Sequence, residues 1–288
     1  MSGYIAATVV IFIWSSWFVV SRVGAQSVMN IYDMAALRYG ISSILSIPII
    51  IYFKPWKTIS LKKLILVSMM LGPLYVLTTF AGFLYAPVAH GGIFFNGFVP
   101  ILTIIISFIW INTKINFFQV LGAIIILFGS SIVLFSKDDQ VFIEAWKGDI
   151  LFFIGAVTFS FYMVSNRAWK ITTTEILFSS AFVNGLIYMP IWIFFLPTNI
   201  YKAETSEILL QGIFQGVLPN LIGLLLVSYA VRKIGSASTS AFMAAVPSLA
   251  TFLAFLFIDE NIGLFGWISI IILTFGILLI SLSENFEN

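Results

Sequence analysis

The sequence predicts an all-α integral membrane protein in which ten transmembrane helices form two inverted five-helix repeats, and three observations carry that expectation. Hydrophobic residues make up 60% of the chain and charged residues 9%, against roughly 25% charged in soluble globular domains, so a soluble fold could not hide this much apolar surface. The apolar residues gather into uncharged runs close to the ~20 residues that a helical crossing needs. The two halves of the chain can also be laid over one another in two places.

The first run, 4–20, has no Lys or Arg before it. It exceeds the usual core of about 7–15 residues in a signal peptide, so it reads as a membrane helix. The second, 34–53, is interrupted only by Arg38. The uncharged span between Lys63 and Lys114 is too long for one crossing, and Ala86-Pro87-Val88-Ala89-His90-Gly91-Gly92 splits it into 64–84 and 88–111, because Pro and Gly mark a break. The remaining runs are 115–135, 150–165, 176–196, 208–230, 234–258 and 262–282. All are apolar on every face, whereas barrel strands would alternate apolar and polar residues over ~10-residue segments. The first repeat is expected over 1–140 and the second over 141–288.

Orientation follows from Lys and Arg, which cytoplasmic loops retain during insertion. With the N-terminus inside, cytoplasmic connections hold nine (Lys54, Lys57, Lys62, Lys63, Lys114, Arg167, Lys170, Arg232, Lys233) and outer ones four (Arg22, Lys137, Lys147, Lys202). Ten crossings is an even number, so both termini are expected in the cytoplasm of a multi-pass protein of the cell (inner or plasma) membrane.

Trp14-Ser15-Ser16-Trp17-Phe18-Val19-Val20-Ser21-Arg22 lies over Phe159-Ser160-Phe161-Tyr162-Met163-Val164-Ser165-Asn166-Arg167. Val99-Pro100 lies over Val246-Pro247 and, without a gap, Phe128-Gly129 over Phe275-Gly276. Each half holds an odd number of helices, so the second enters the membrane from the opposite side. Such a repeat supplies two near-equivalent arrangements about a site at the midplane, a physical basis for alternating access.

With Trp14-Ser15-Ser16-Trp17, Ala36-Leu37-Arg38-Tyr39, Pro100, Pro247 and Glu260 after the ninth run, the sequence resembles the EamA family of the drug/metabolite transporter superfamily over essentially its whole length. The resemblance implies export, or sometimes uptake, of amino acids and related metabolites. The chain departs from a symmetric pattern at Thr113, opposite Glu260, and at Val183, opposite Arg38.

Other functions lack their chemistry. The chain has no cysteine, one histidine, no His-Glu-x-x-His pair, no Gly-x-Ser-x-Gly elbow and no Walker loop, so neither an enzyme, a metal site, a cofactor nor ATP-driven pumping is expected. A net charge of +2 without a basic patch speaks against nucleic acid. The expected partners are lipid and a small-molecule substrate, with a homodimer left open.

Polar groups inside a membrane are expensive and tend to face a cavity or a partner helix. Arg38 is the only strongly basic residue within a run, and Asn96, Asn184 and Asn220 fall near the middles of the fourth, seventh and eighth. Trp14, Trp17, Tyr75 and Tyr162 lie at depths where a polar-tipped ring has little reason to face lipid. These eight are the candidate substrate-binding residues. Pro73, Gly91, Gly92, Pro100, Pro219 and Pro247 are the candidate helix breaks or gates. Asp33, Asp149, Glu175 and Glu260 lie at run ends, which argues against a proton relay at the bilayer centre. The set suits a molecule with a carboxylate and an apolar body, Arg38 holding the carboxylate. Organic cations held on the rings are the alternative substrate class, and a non-transporting scaffold is the rival function. The topology predicts that cysteines introduced at Lys57 and Lys202 label from opposite sides with an impermeant thiol reagent; equal labelling from outside would overturn it.

Overall fold

The computed structural model describes residues 1–133 and 144–283, which form helices with no strand among them. Lys137, the end of the fifth run and the expected boundary after residue 140 lie outside them. The helices are α1 Ser2–Ala25, α2 Ile31–Phe53, α3 Leu61–Tyr85, α4 Val88–Ile111, α5 Phe117–Val133, α6 Ala145–Trp169, α7 Thr173–Phe195, α8 Thr205–Ile234, α9 Ser238–Ile258 and α10 Gly263–Ser283. Among the described residues nine are long and apolar enough to cross a membrane, and α5 is shorter. α6 begins ahead of its apolar run and takes in Trp146, Lys147 and Asp149, because a charge can end a run of apolar residues without ending a helix.

Among the described residues three helices begin on capping boxes, including α5, where the Gln119 backbone donates to the Asn116 side chain at 2.9 Å and the Asn116 backbone donates to the Gln119 side chain at 3.1 Å. The Asn30 side chain accepts from the backbone of Tyr32 and Asp33, and Asp33 accepts from the backbone of Asn30; Thr172 and Glu175 do the same for α7. Each box satisfies N–H groups that a helix start leaves without partners.

Several helices are broken inside the bundle. In α3 the winding stops at Leu71-Gly72 and restarts on Pro73; in α9 it stops at Ala244-Ala245, ahead of Pro247. Residues Gly91–Gly97 of α4, Phe178–Val183 of α7 and Gly212–Gly223 of α8 wind more widely, in i→i+5 turns, and Pro219 lies within the last. Proline lacks the N–H of a regular turn and crowds the preceding one, which a wider turn or an interruption relieves.

Lipid is as apolar as leucine, so helices join through close packing and hydrogen bonds rather than hydrophobic burial. Antiparallel α5 and α10 meet at Gly122 against Gly276 and Gly129 against Ser269: a Cβ on Gly122 would stand 2.8 Å from the Gly276 carbonyl oxygen, and one on Gly276 2.9 Å from that of Gly122. Ser269 donates to the Gly129 carbonyl at 2.6 Å. The offset that lays Pro100 over Pro247 takes Gly122 to Ser269 and Gly129 to Gly276, so it turns one of these contacts into the other.

The aligned stretches also bond crosswise. Ser15 of α1 donates to the Val246 carbonyl beside Pro247, and Ser160 of α6 donates to the Val99 carbonyl beside Pro100, both at 3.2 Å. α4 and α9 end alike, on left-handed Asn112 and Asp259.

Candidate functional site

A cavity of about 770 Å³ occupies the middle of the bundle and reaches only one end of it. From α4, α6 and α8 its wall begins at Phe95, Phe159 and Pro219 and runs toward their C-termini, whereas α7 and α9 contribute only up to Ile176 and Pro247. These segments share one end of the bundle, where the exposed Lys114, Arg167 and Arg232 line the mouth. Deeper in, Arg38 is 5% exposed. These four cations are the charged residues of the wall; no Asp or Glu contributes to it among the described residues.

Arg38 has little to hold it. Its Nη2 donates to Asn220 Oδ1 at a long 3.4 Å, and Cζ stands 5.8 Å from the centroid of the Trp17 ring. Nε and Nη1 have no protein partner, and no ion pair among the described residues includes this side chain. Asp33, the nearest acidic residue in sequence, instead accepts from the Trp192 indole at 3.0 Å and the Asn199 backbone at 2.9 Å. Asn96 Nδ2, Asn220 Nδ2 and Thr103 Oγ1, on residues of the same wall, also lack protein partners. An aromatic wall faces them: Tyr75, Phe95, Phe159 and Tyr162 follow one another at centroid distances of 5.5–5.6 Å. Trp14 and Trp17 complete it.

The other end of the bundle is shut by polar contacts. Arg22, in the last turn of α1, donates from Nε to Glu260 Oε1 at 2.7 Å and from Nη1 to the Phe83 carbonyl. Glu260 Oε2 accepts from the Val88 backbone at 2.8 Å. His90 Nδ1 lies 2.8 Å from Asp149 Oδ1. Both pairs are nearly buried, with side chains 5–11% exposed. Each joins a residue of the first half to one of the second.

The model of the EamA-like transporter family matches residues 1–135 and 146–282. The chain belongs to that family. One solved crystal structure is similar over 100% of this chain and 99% of its own, with a TM-score of 0.66 and 16% identity, a likeness of fold alone. No curated protein matches the sequence. As a member of the EamA-like family the protein is a membrane transporter and not an enzyme.

Within this EamA-like bundle, seven of the eight candidate binding residues line the cavity: Arg38, Asn96, Asn220, Trp14, Trp17, Tyr75 and Tyr162. Asn184 is placed elsewhere. Its Nδ2 donates to the Ser68 carbonyl at 3.1 Å, just before the break in α3, and to that of Ser180 at 3.3 Å. An amide facing an interrupted helix satisfies backbone there. Of the candidate breaks, Pro100, Pro219 and Pro247 line the wall. Pro73 restarts α3, and a Cβ on Gly91 or Gly92 would press on Phe18 and Phe83 or on Pro247 at 3.1–3.2 Å, so those glycines serve close packing.

Phe95 and Phe159 escaped sequence reasoning because nothing separates two phenylalanines from the other 28 of the chain's 30. Arg22 and Asp149 read as run-end charges, His90 as part of the connection between the third and fourth runs, and Glu260 as a mark of the family resemblance; none was expected to pair, although Arg22 and Arg167 aligned between the halves. Gln211 and Gln215 carried a usable signal, two amides one turn apart in an apolar run. Asn184→Ala is expected to lower stability by about 1 kcal/mol, the worth of one interhelical hydrogen bond, and to leave substrate KM unchanged in transport assays. A raised KM at unchanged stability would return Asn184 to the binding site.

Proposed function

We infer that this transporter is a secondary carrier that exports small amphiphilic metabolites bearing a carboxylate, of which amino acids are the simplest, by alternating access across the cell membrane. The observation that carries the reading is Arg38: a buried guanidinium with two nitrogens unpartnered, in a wall without an acid among the described residues. Burying an ion costs several kcal/mol unless a counter-charge with good geometry offsets it. A carboxylate matches the guanidinium fork, the free amides of Asn96 and Asn220 suit its other polar groups, and the aromatic wall suits an apolar body. Organic cations fit less well, since all four charged lining residues are basic and Arg38 already occupies the Trp17 face. A scaffold has no use for such a cavity.

Alternating access draws support from the crosswise bonds of Ser15 and Ser160, from the α5–α10 contact that the internal offset maps onto itself, and from the family's match to two segments. An antiparallel pair related in this way needs a two-fold axis lying across the helices, as two inverted five-helix repeats require. The open end carries the N-terminus of α1 and the connections assigned to the cytoplasm. This arrangement is therefore the one that loads substrate for export. Arg22–Glu260 and His90–Asp149 then close the outer end and must part for release.

Replacing Arg38 with Ala removes a charge-assisted pair worth about 2–3 kcal/mol, so amino-acid affinity should fall roughly 30- to 150-fold. Arg38→Lys keeps the charge without the fork and should fall between. Uptake into proteoliposomes measures both, and normal amino-acid transport by a folded Arg38→Ala would overturn the reading. For the closed end, Ala25→Cys should react slowly with an outside impermeant thiol reagent, and roughly tenfold or more faster once Glu260→Gln and Asp149→Asn weaken the two pairs. Equal rates would show that these contacts do not hold the outer end shut.

A further inference from the structure

Behind the cavity wall lies a set of buried amides that do not line the cavity. Gln211 and Gln215, one turn apart on α8, are fully buried. Gln215 Oε1 accepts from the Trp17 indole N–H at 2.7 Å, and its Nε2 donates to Ser21 Oγ at 3.2 Å and to Gln211 Oε1 at 3.0 Å. Gln211 Nε2 donates in turn to the Val20 carbonyl at 2.8 Å. Gly24 makes room for this: a Cβ there would stand 2.5 Å from Gln211 Nε2. The relay is braced on the α1 backbone and ends on a single side chain of the wall, Trp17.

Trp17 is 4% exposed, so its indole N–H needs an acceptor. Gln215 supplies one in one orientation of the ring. That orientation sets the face lying 5.8 Å from Arg38 Cζ, and beyond this face Arg38 has only the long bond to Asn220. A guanidinium with so few contacts takes its direction from the ring beneath it. We propose that Gln215 is a positioning residue for substrate recognition: by locking Trp17 it aims the Arg38 fork into the cavity, and so sets the preference for a carboxylate. The proposal rests on the reading of Arg38 as the carboxylate anchor. A role confined to joining α1 and α8 would affect stability and leave recognition alone.

The test uses purified full-length protein and equilibrium binding of the twenty standard amino acids, each of the tightest binders being compared with its decarboxylated amine. Gln215→Met keeps a straight side chain and removes the hydrogen bonds. It should weaken amino-acid binding at least tenfold and shrink the preference over the amine by a similar factor. Trp17→Phe, which leaves the two glutamines bonded to each other, should do the same and serves if Gln215→Met does not fold. Adding Gln215→Met to Trp17→Phe should then cost no further affinity, because the bond is already absent. If Arg38→Ala loses binding while Gln215→Met and Trp17→Phe keep both affinity and preference, the positioning role is wrong and the anchor stands. If Arg38→Ala binds as the parent does, or the parent binds no amino acid, the anchor reading fails and this proposal with it.

Discussion

Arg38 brings a permanent charge into a bundle whose described residues offer it no acid, and much of the architecture around the cavity can be read from that constraint. In a medium of low dielectric a guanidinium needs either a counter-ion or a set of dipoles aimed at it. Here it has one ring face, on a Trp17 held by Gln215, and one amide oxygen, on an Asn220 whose own Nδ2 has no protein partner. The contrast with the shut end is informative. There each buried acid meets a partner within hydrogen-bonding distance, Glu260 the Arg22 guanidinium at 2.7 Å and Asp149 the His90 ring at 2.8 Å. Partnered side chains close one end of the molecule, and a guanidinium with two unpartnered nitrogens lies in the cavity that opens at the other.

The fold makes that difference possible because its helices are not uniform rods. The interruption at Ala244-Ala245 of α9 and the wide turns of α4 and α8 all border the cavity. Backbone that departs from regular winding is tolerated at membrane depth only where protein or an aqueous cavity surrounds it. The break in α3 fits the same rule in another way, since the Asn184 amide bonds the Ser68 carbonyl just before it. The glycine contacts between α5 and α10 are by contrast tight and join two uninterrupted helices, whose Ile126, Ile270 and Leu273 pack against the wide turn of α4. The bundle thus combines a closely packed seam with helices whose winding is interrupted.

Much of the helical plan was legible in the sequence. Among the described residues every expected run falls on a helix, because hydrocarbon demands length and apolarity, and both are properties of a stretch of chain. The break between α3 and α4 was visible in Ala86-Pro87, and the restart of α3 in Pro73, since proline acts on its own turn. Helix ends were less visible: α6 starts ahead of its apolar run and takes in Trp146, Lys147 and Asp149.

The site divides along the same line. The sequence by itself determined which few polar and aromatic groups stand inside the membrane, because a charge or an amide among apolar residues is conspicuous wherever it points. Only the tertiary structure decided what each of them meets. Asn96 and Asn220 turn to the cavity while Asn184 turns to the Ser68 carbonyl, a choice set by which helix lies alongside. Arg22 finds Glu260 across 238 residues of chain, and Trp17 finds Gln215 across 198. A helix with apolar residues on all sides carries no amphipathic stripe to say which face is inward, so direction and partnership enter only when the helices pack.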